Sequence, residues 1–327
     1  MDQLHNFTDA PFGYKTYGGS DTKTSIIYKD EAYMLKAPQR LTNTTNLQSS
    51  FANNVISEYI GSRIMQSLGI PTQETLLGER AGELVVACKD FCPPGSILAE
   101  FAAFMRETYR PQEIGRFPTY KQLYDIFELN KNIAHLKDKT ISHYWDEFVG
   151  DALIGNFDRH KGNFGYLVNQ ETKEISVSPV YDCGSSLYPN LSENQMQRVL
   201  SSSEEIEMRI YKFPLAALNK NSNPRKEQKL GYFEALSGEF YDQNCIEAFH
   251  RIYKKVDLNA IKHIIDETPV ISDNRKAFYK TMIQARKEMI LDRAYEICLN
   301  KGLIKLDDSK PDGKTNISRS RKVSVRR

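Results

Sequence analysis

The stretch Gly155-Asn156-Phe157-Asp158-Arg159-His160-Lys161-Gly162-Asn163-Phe164, followed nineteen positions after Asn163 by Asp182 in Val180-Tyr181-Asp182-Cys183-Gly184, has the layout of a phosphoryl-transfer site. Such a site needs a carboxylate near the attacking hydroxyl. It also needs an amide oxygen and a second carboxylate to hold Mg²⁺ against the phosphates of ATP. Asp158, Asn163 and Asp182 are those residue types in that order.

Asp158 stands five positions before Asn163, the spacing between base and metal-binding asparagine in the protein-kinase catalytic loop. One tight loop must present both groups to the same phosphate. A surface turn rich in Asp, Gly and Asn produces an isolated D-x-x-x-x-N by chance, so the flanking elements carry the argument. Tyr144, Trp145, Phe148, Val149, Ala152 and Leu153 recur at i, i+1, i+4, i+5 and predict a helix leading into the loop. Phe164 to Val168 and Ile175 to Tyr181 predict two strands joined by a polar turn, which return Asp182 toward Asp158. His160 either contacts the nucleotide or braces the loop through a backbone carbonyl. A zinc hydrolase is a poor fit, because no second histidine stands at ligand spacing from His160.

Working toward the N-terminus, Tyr33-Met34-Leu35-Lys36 ends a strand, with Lys36 on the opposite face from Leu35. A buried lysine is costly unless paired. The apolar stripe Val55, Ile56, Tyr59, Ile60, Ile64, Leu68 predicts a following helix that carries Glu58 outside the main stripe and ends at Gly69. Lys36 and Glu58 are therefore expected as the ion pair that holds a kinase lysine on the α and β phosphates. A solvated edge-strand lysine and an ordinary surface glutamate are the alternative. Thr24 to Tyr28 and Ala32 to Lys36 read as a hairpin, preceded by Gly18-Gly19-Ser20-Asp21-Thr22-Lys23, whose N–H groups could cradle phosphates. Ala87-Cys88-Lys89-Asp90, at the end of the β-rich run from Glu83, is where a hinge would meet adenine, with Asp90 toward ribose.

Pro93-Pro94-Gly95 then breaks the chain. The expected organisation is a small mixed α/β lobe over residues 1–90, a mainly helical lobe over 91–306 and a basic tail over 307–327. At 327 residues and 40% hydrophobic content the chain can bury a full core. It contains no run near the roughly 18 apolar residues of a membrane helix, and its start is too polar for a secretory signal, so a cytoplasmic location is the default expectation, with export by a route that reads no such signal as the alternative. Five scattered cysteines suggest thiols rather than a disulfide framework. The formal charge is +2, yet Lys314, Arg319, Arg321, Lys322, Arg326 and Arg327 all follow the last acid, Asp312. Without those six, 38 basic face 42 acidic residues, leaving a mildly acidic body. The tail could engage an acidic or host partner or serve as a nuclear address; a solvated terminus is the commoner explanation, and nucleic acid is not the expected partner.

Phe157 to Phe164 with Tyr181-Asp182 resembles the HipA-like serine/threonine kinases, as do Gly19-Ser20-Asp21-Thr22-Lys23-Thr24, Met34-Leu35-Lys36 and Leu84-Val85-Val86. The resemblance spans roughly Tyr17 to Leu303. It implies an α+β, two-lobed protein-kinase-like fold and ATP-dependent phosphorylation of serine or threonine hydroxyls on a protein substrate. By the same resemblance Asp158 is the general base, Asn163 and Asp182 are Mg²⁺ ligands, Lys36 anchors phosphate, and His160, Tyr181 and Asp90 line the nucleotide pocket. The chain begins almost at the phosphate loop, so the extra N-terminal subdomain of longer HipA-type toxins is not expected. Cys183-Gly184 stands where eukaryotic kinases carry Phe-Gly. Ser20 in the phosphate loop raises autophosphorylation as an expectation. Two other readings compete: a phosphoinositide-type lipid kinase with the same loop, and a catalytically silent nucleotide-binding scaffold that acts through its tail.

Overall fold

The computed structural model of the chain describes residues 4–15, 23–38 and 54–305. Its N-terminal part is a five-stranded sheet. β1 is His5–Asn6, β2 Lys23–Tyr28, β3 Glu31–Lys36, β4 Thr75–Arg80 and β5 Glu83–Lys89, ordered β1-β4-β5-β3-β2. β2 and β3 form an antiparallel hairpin pairing Lys23 with Lys36 and Tyr28 with Glu31. Its two turn residues, Lys29 and Asp30, lie at φ 50° and 63°. Two consecutive left-handed residues give the turn twist that matches the strands. β4 was not apparent in the sequence because Gly78 and charged residues interrupt its apolar run. A Cβ at Gly78 would lie 2.2 Å from the Phe7 ring and 2.4 Å from the His5 carbonyl, so only glycine lets β1 approach.

Helix α1 (Asn54–Ser67) follows β3 and is buried on nearly every side, Ser57, Glu58 and Ser62 included. The single apolar stripe expected from the sequence understates this. The helix is wedged between β4 and β5 on one side and the helical lobe on the other, so polar positions are enclosed as well. Phe7, Ile26, Tyr33, Leu35, Val85 and Ala87 form a small separate core on the sheet. The main core runs unbroken from Ile60 and Ile64 on α1 to Trp145, Phe249 and Tyr279 in the helical part.

After the hinge come β6 (Ser96–Glu100), α2 (Phe101–Thr108), α3 (Tyr120–Leu129), α4 (Lys137–Ile154), β7 (Gly165–Asn169) and β8 (Ile175–Val177). β6, β7 and β8 make a three-stranded antiparallel sheet. The second strand of the expected hairpin is shorter than its apolar run. Pro179 has no N–H to extend the ladder, and Val180 instead bridges Thr72 in parallel while accepting the N–H of Gln73 at 2.8 Å. Helices α5 (Glu193–Leu200), α6 (Ser203–Tyr211), α7 (Tyr232–Leu236), α8 (Gln243–Tyr253), α9 (Leu258–Glu267), α10 (Asp273–Arg286) and α11 (Arg293–Asn300) complete the described chain, with a π-helical turn over Lys287–Asp292 joining the last two. The architecture is two-lobed α+β. Among the described residues no helix is long and apolar enough to cross a membrane. The basic tail lies outside the described residues.

Candidate active site

The loop that carries Asp158 is launched by a helix stop. Gly155, at φ 67°, ends α4 in a left-handed cap, and buried Arg286 donates from Nε to the Ala152 carbonyl at 2.6 Å, satisfying an end of α4 that would otherwise lack a donor. Asn156 then turns the chain: its Oδ1 accepts the Asp158 N–H at 3.1 Å and its Nδ2 donates to Asp151 at 3.1 Å. Asn163 closes the loop by donating from Nδ2 to the Asp158 carbonyl at 2.9 Å. That bond commits the amide's NH₂ and leaves Oδ1 as its acceptor for a cation. His160 braces the same turn, with Nδ1 accepting the Gly162 N–H at 3.1 Å.

Opposite the loop, Lys36 is 5% exposed and donates to Glu58 Oε2 at 2.8 Å and to Asp182 Oδ1 at 3.0 Å. Glu58 also accepts the backbone N–H of Cys183 through Oε1 at 2.9 Å. One carboxylate thus ties β3, α1 and the Asp182 segment together. Burial opposes the Lys36 charge, but Asp182 and Glu58 outweigh it and hold the ammonium well above its ordinary range. Burial likewise pushes Asp182 up, yet Lys36 and Arg159 prevail and hold its carboxyl at about 2. Asp158 responds in the other direction: burial raises it, His160 opposes, and the Asp182 charge adds to the rise. The site therefore contains one strongly acidic carboxylate and one more basic than usual, the separation that suits a cation ligand beside a proton acceptor.

Asp182 sits at φ 60°, a costly conformation for a non-glycine residue. Arg159 holds it there. Its guanidinium donates to the carbonyls of Tyr181, Asp182 and Asn163, and pairs with Asp151 through Nε at 2.9 Å and Nη2 at 3.1 Å. Glu147 lies 2.9 Å from the same Nε, but neither of its oxygens makes a hydrogen bond. Burial raises Glu147 to about 8 against the pull of Arg159, with Asp151 adding. Sequence reasoning passed over Arg159. The available signal was Glu147 and Asp151, two acids one turn apart on an otherwise apolar face leading straight into the loop.

A cavity of about 830 Å³ lies between the lobes. Lys23, Lys36, Glu58, Asp90, Asp158, His160, Asn163, Tyr181 and Asp182 line it, so the structure brings these candidates to one place. Gly19, Ser20, Asp21 and Thr22 lie outside the described residues. Ala87, Cys88 and Lys89 do not line the cavity. Lys89 turns its side chain to Glu31 at 3.1 Å, while its N–H donates to the Glu74 carbonyl and its carbonyl accepts from Gln73 Nε2, both at 2.9 Å. The expected hinge contact at that residue is therefore already engaged. In its place the structure presents two groups that the sequence did not single out, Gln73 and Phe91, both on the cavity wall. The Tyr181 ring lies tilted at 5.7 Å from that of Phe91, and its hydroxyl donates to the Gly162 carbonyl at 2.9 Å.

A family model described as the HipA-like C-terminal domain matches residues 16–256. The serine/threonine-protein kinase CtkA of Helicobacter pylori strain J99 is 38% identical over 283 residues, covering 86% of this chain and 84% of that protein. The chain belongs to the HipA-like serine/threonine kinase family. The crystal structure of the H. pylori proinflammatory kinase CtkA superposes with a TM-score of 0.85 at 34% identity, over 93% of this chain and all of that one. HipA of Shewanella oneidensis MR-1, solved with HipB and operator DNA, superposes with a TM-score of 0.54 at 14% identity, over 87% of this chain and 67% of that one, a likeness in fold. Cys183 directly follows Asp182 in the site segment. It is fully buried against Gly61 of α1, where a Cβ would lie 2.9 Å from the Cys183 Cβ.

Proposed function

We propose that this kinase transfers the γ-phosphoryl group of ATP, bound with Mg²⁺, to serine or threonine hydroxyls of proteins. The observation that carries the reading is Lys36 bridging Glu58 and Asp182 in the cavity that Asp158 and Asn163 line. Asp158 orients the acceptor hydroxyl and takes its proton. Lys36 holds phosphate oxygens, and its second partner, Glu58, keeps it extended from β3 toward them. Asn163 Oδ1 and the Asp182 carboxylate are the cation ligands of this reading. Among the described residues no group of three His, Cys, Asp or Glu makes a self-sufficient metal cage. That donor set suits Mg²⁺, which is commonly bound by one or two carboxylates together with substrate phosphates. When bound, Mg²⁺ neutralises phosphate charge during transfer.

The choice of adenine rests on an orphaned atom. Gln73 is 5% exposed; Nε2 is identified by its bond to the Lys89 carbonyl, and the buried Oε1 has no hydrogen-bond partner. Among the described residues the N–H of Phe91 has no hydrogen-bond acceptor. An acceptor and a donor on one wall complement the 6-amino group and N1 of adenine. Guanine presents the reverse pattern and would leave both unpaired. Tyr181 and Phe91 offer aromatic surface for the base, and Asp90 remains the candidate for ribose. Ser20 is the proposed autophosphorylation site; mass spectrometry after incubation with ATP that finds no phosphate on residues 18–24 removes it.

Catalysis of this kind is mostly positioning and charge neutralisation. Asp158→Asn should leave ATP binding largely intact while turnover on a protein acceptor falls by about 10²- to 10⁴-fold. Near-normal turnover in that variant would sink the assignment of the base.

A further inference from the structure

Two connecting segments wall the loop that carries Asp158. Residues 110–119 connect α2 to α3, and residues 219–230 lead into α7. They are joined to each other by a bridge between Thr119 and Asn219 and by the Asn219 N–H donating to the Pro118 carbonyl at 2.9 Å. Gly115 packs so closely on the second segment that a Cβ would lie 2.5 Å from the Pro224 carbonyl. Both are tied to the loop that carries Asp158. Lys161 Nζ donates to the Gly115 carbonyl at 2.6 Å, and Lys229 Nζ donates to the Phe157 carbonyl at 3.2 Å.

The wall is cationic. Arg116 and Lys229 lie over the ring of Phe117, at 5.1 and 4.2 Å from its centroid, and Arg225 donates to the Gln112 carbonyl on the same wall. Among the described residues none of Arg116, Lys161, Arg225 or Lys229 forms an ion pair; carbonyl oxygens and an aromatic face are their partners. Arg116 and Arg225 are exposed, and both lysines are half-buried. Burial lowers the pKa of Lys161 with Arg106 adding, and burial lowers that of Lys229 with Arg116 adding, although Asp158 and Glu227 oppose. The lysines whose pKa rises, Lys36 and Lys89, both sit beside carboxylates.

The nucleotide is not what these cations wait for. Arg116, Lys161, Arg225 and Lys229 do not line the cavity between the lobes. Arg116 and Lys229 nevertheless act electrostatically on Asp158, the residue at which the acceptor hydroxyl must arrive. An anion on the acceptor itself would neutralise them at the moment of docking and be held beside the base.

We propose that this wall is an acceptor-binding site for protein segments that carry carboxylate side chains within a few residues of the phosphorylated serine or threonine. The inference rests on the kinase reading and adds to it a substrate class. Exposed ion pairs are individually weak, and two or three together give a preference of roughly 2- to 160-fold. The preference should shrink as salt rises.

The test uses the full chain and serine peptides of one length in which the flanking positions are glutamate, phosphoserine, alanine or lysine. Peptide binding is measured by fluorescence anisotropy, and phosphorylation with ATP and Mg²⁺ is measured in parallel. The glutamate peptide is expected to bind about ten-fold more tightly than the lysine peptide. Arg116→Glu combined with Arg225→Glu, both at exposed positions, should reverse that order while ATP affinity stays unchanged. Equal binding of glutamate and lysine peptides, a lysine preference, or an order unmoved by the double variant overturns the proposal. A phosphoserine peptide far outranking glutamate also overturns it, by assigning the wall to an already phosphorylated partner. If no peptide is phosphorylated, the kinase reading fails, while the binding order still decides the surface.

Discussion

Single residues divide this site between groups that line the cavity and groups that hold those groups still. Arg159 is of the second kind. It joins buried Asp151 and Glu147 to the carbonyls of Tyr181 and Asp182, so one side chain fixes the catalytic loop, α4 and a left-handed backbone turn together. Removing it strands a buried carboxylate. Arg159→Ala is expected to lose about 3–5 kcal/mol of stability in urea unfolding, far more than an exposed arginine would cost. Gln73 is of the first kind in the reading given above. Gln73→Leu, close in volume, should raise KM for ATP about ten-fold with kcat little changed, and the preference for ATP over GTP should fall by a similar factor. Steady-state kinetics with both nucleotides decides this, because a merely structural loss would not alter the ratio. The sequence announced Asp158, Asn163 and Asp182 through their types and spacing. It was silent about Gln73, since nothing local distinguishes an amide that will face a cavity from one that will face water.

Among the elements, α1 is the one whose position decides whether the site is assembled. Its enclosure on both sides means that Glu58 is held by packing as well as by Lys36 and the Cys183 N–H. Gly61 makes the closest approach. A Cβ there would lie 2.8 Å from Ser186 Oγ and 2.9 Å from the Cys183 Cβ, so the helix or the Asp182 segment must move to admit one. Gly61→Ala is therefore expected to destabilise the chain by about 1–3 kcal/mol and to weaken ATP binding measured by calorimetry. An unchanged ATP affinity would mean that the Lys36–Glu58 contact tolerates displacement of α1. The apolar spacing from Val55 to Leu68 made the helix legible in the sequence. Its burial on the opposite face was not, because Ser57, Gly61 and Ser62 are residues that a solvent-facing stripe would also carry.

Across the whole molecule, stability is coupled to pH through groups enclosed where the elements meet. His143 on α4 is pushed down to about 4, by burial first, with Arg159 and Lys139 adding and a hydrogen bond to the Ser178 backbone opposing. A histidine kept neutral in the folded state contributes stability that is fully present above its unfolded pKa of about 6.5. As pH falls from there toward 4, the unfolded chain takes up a proton that the folded chain refuses, and that contribution is lost. His143→Gln should flatten the decline over this interval by roughly 2–3 kcal/mol, compared with the parent chain by urea unfolding at several pH values. An identical decline in the two proteins would show that other groups carry it. The β2–β3 hairpin with its turn at Lys29-Asp30, helix α1, the helix that leads into the Asp158 loop and the pattern of Asp158, Asn163 and Asp182 were determined by the sequence itself. Each depends on local periodicity or on groups close along the chain. Tertiary structure alone decided that Arg159 would clamp the Asp182 turn, that Lys89 would be engaged and Gln73 left to face the cavity, and that basic residues from two distant segments would meet beside Asp158. Those outcomes depend on which surfaces become dry and which charges find partners across the fold, and no short stretch of chain encodes either.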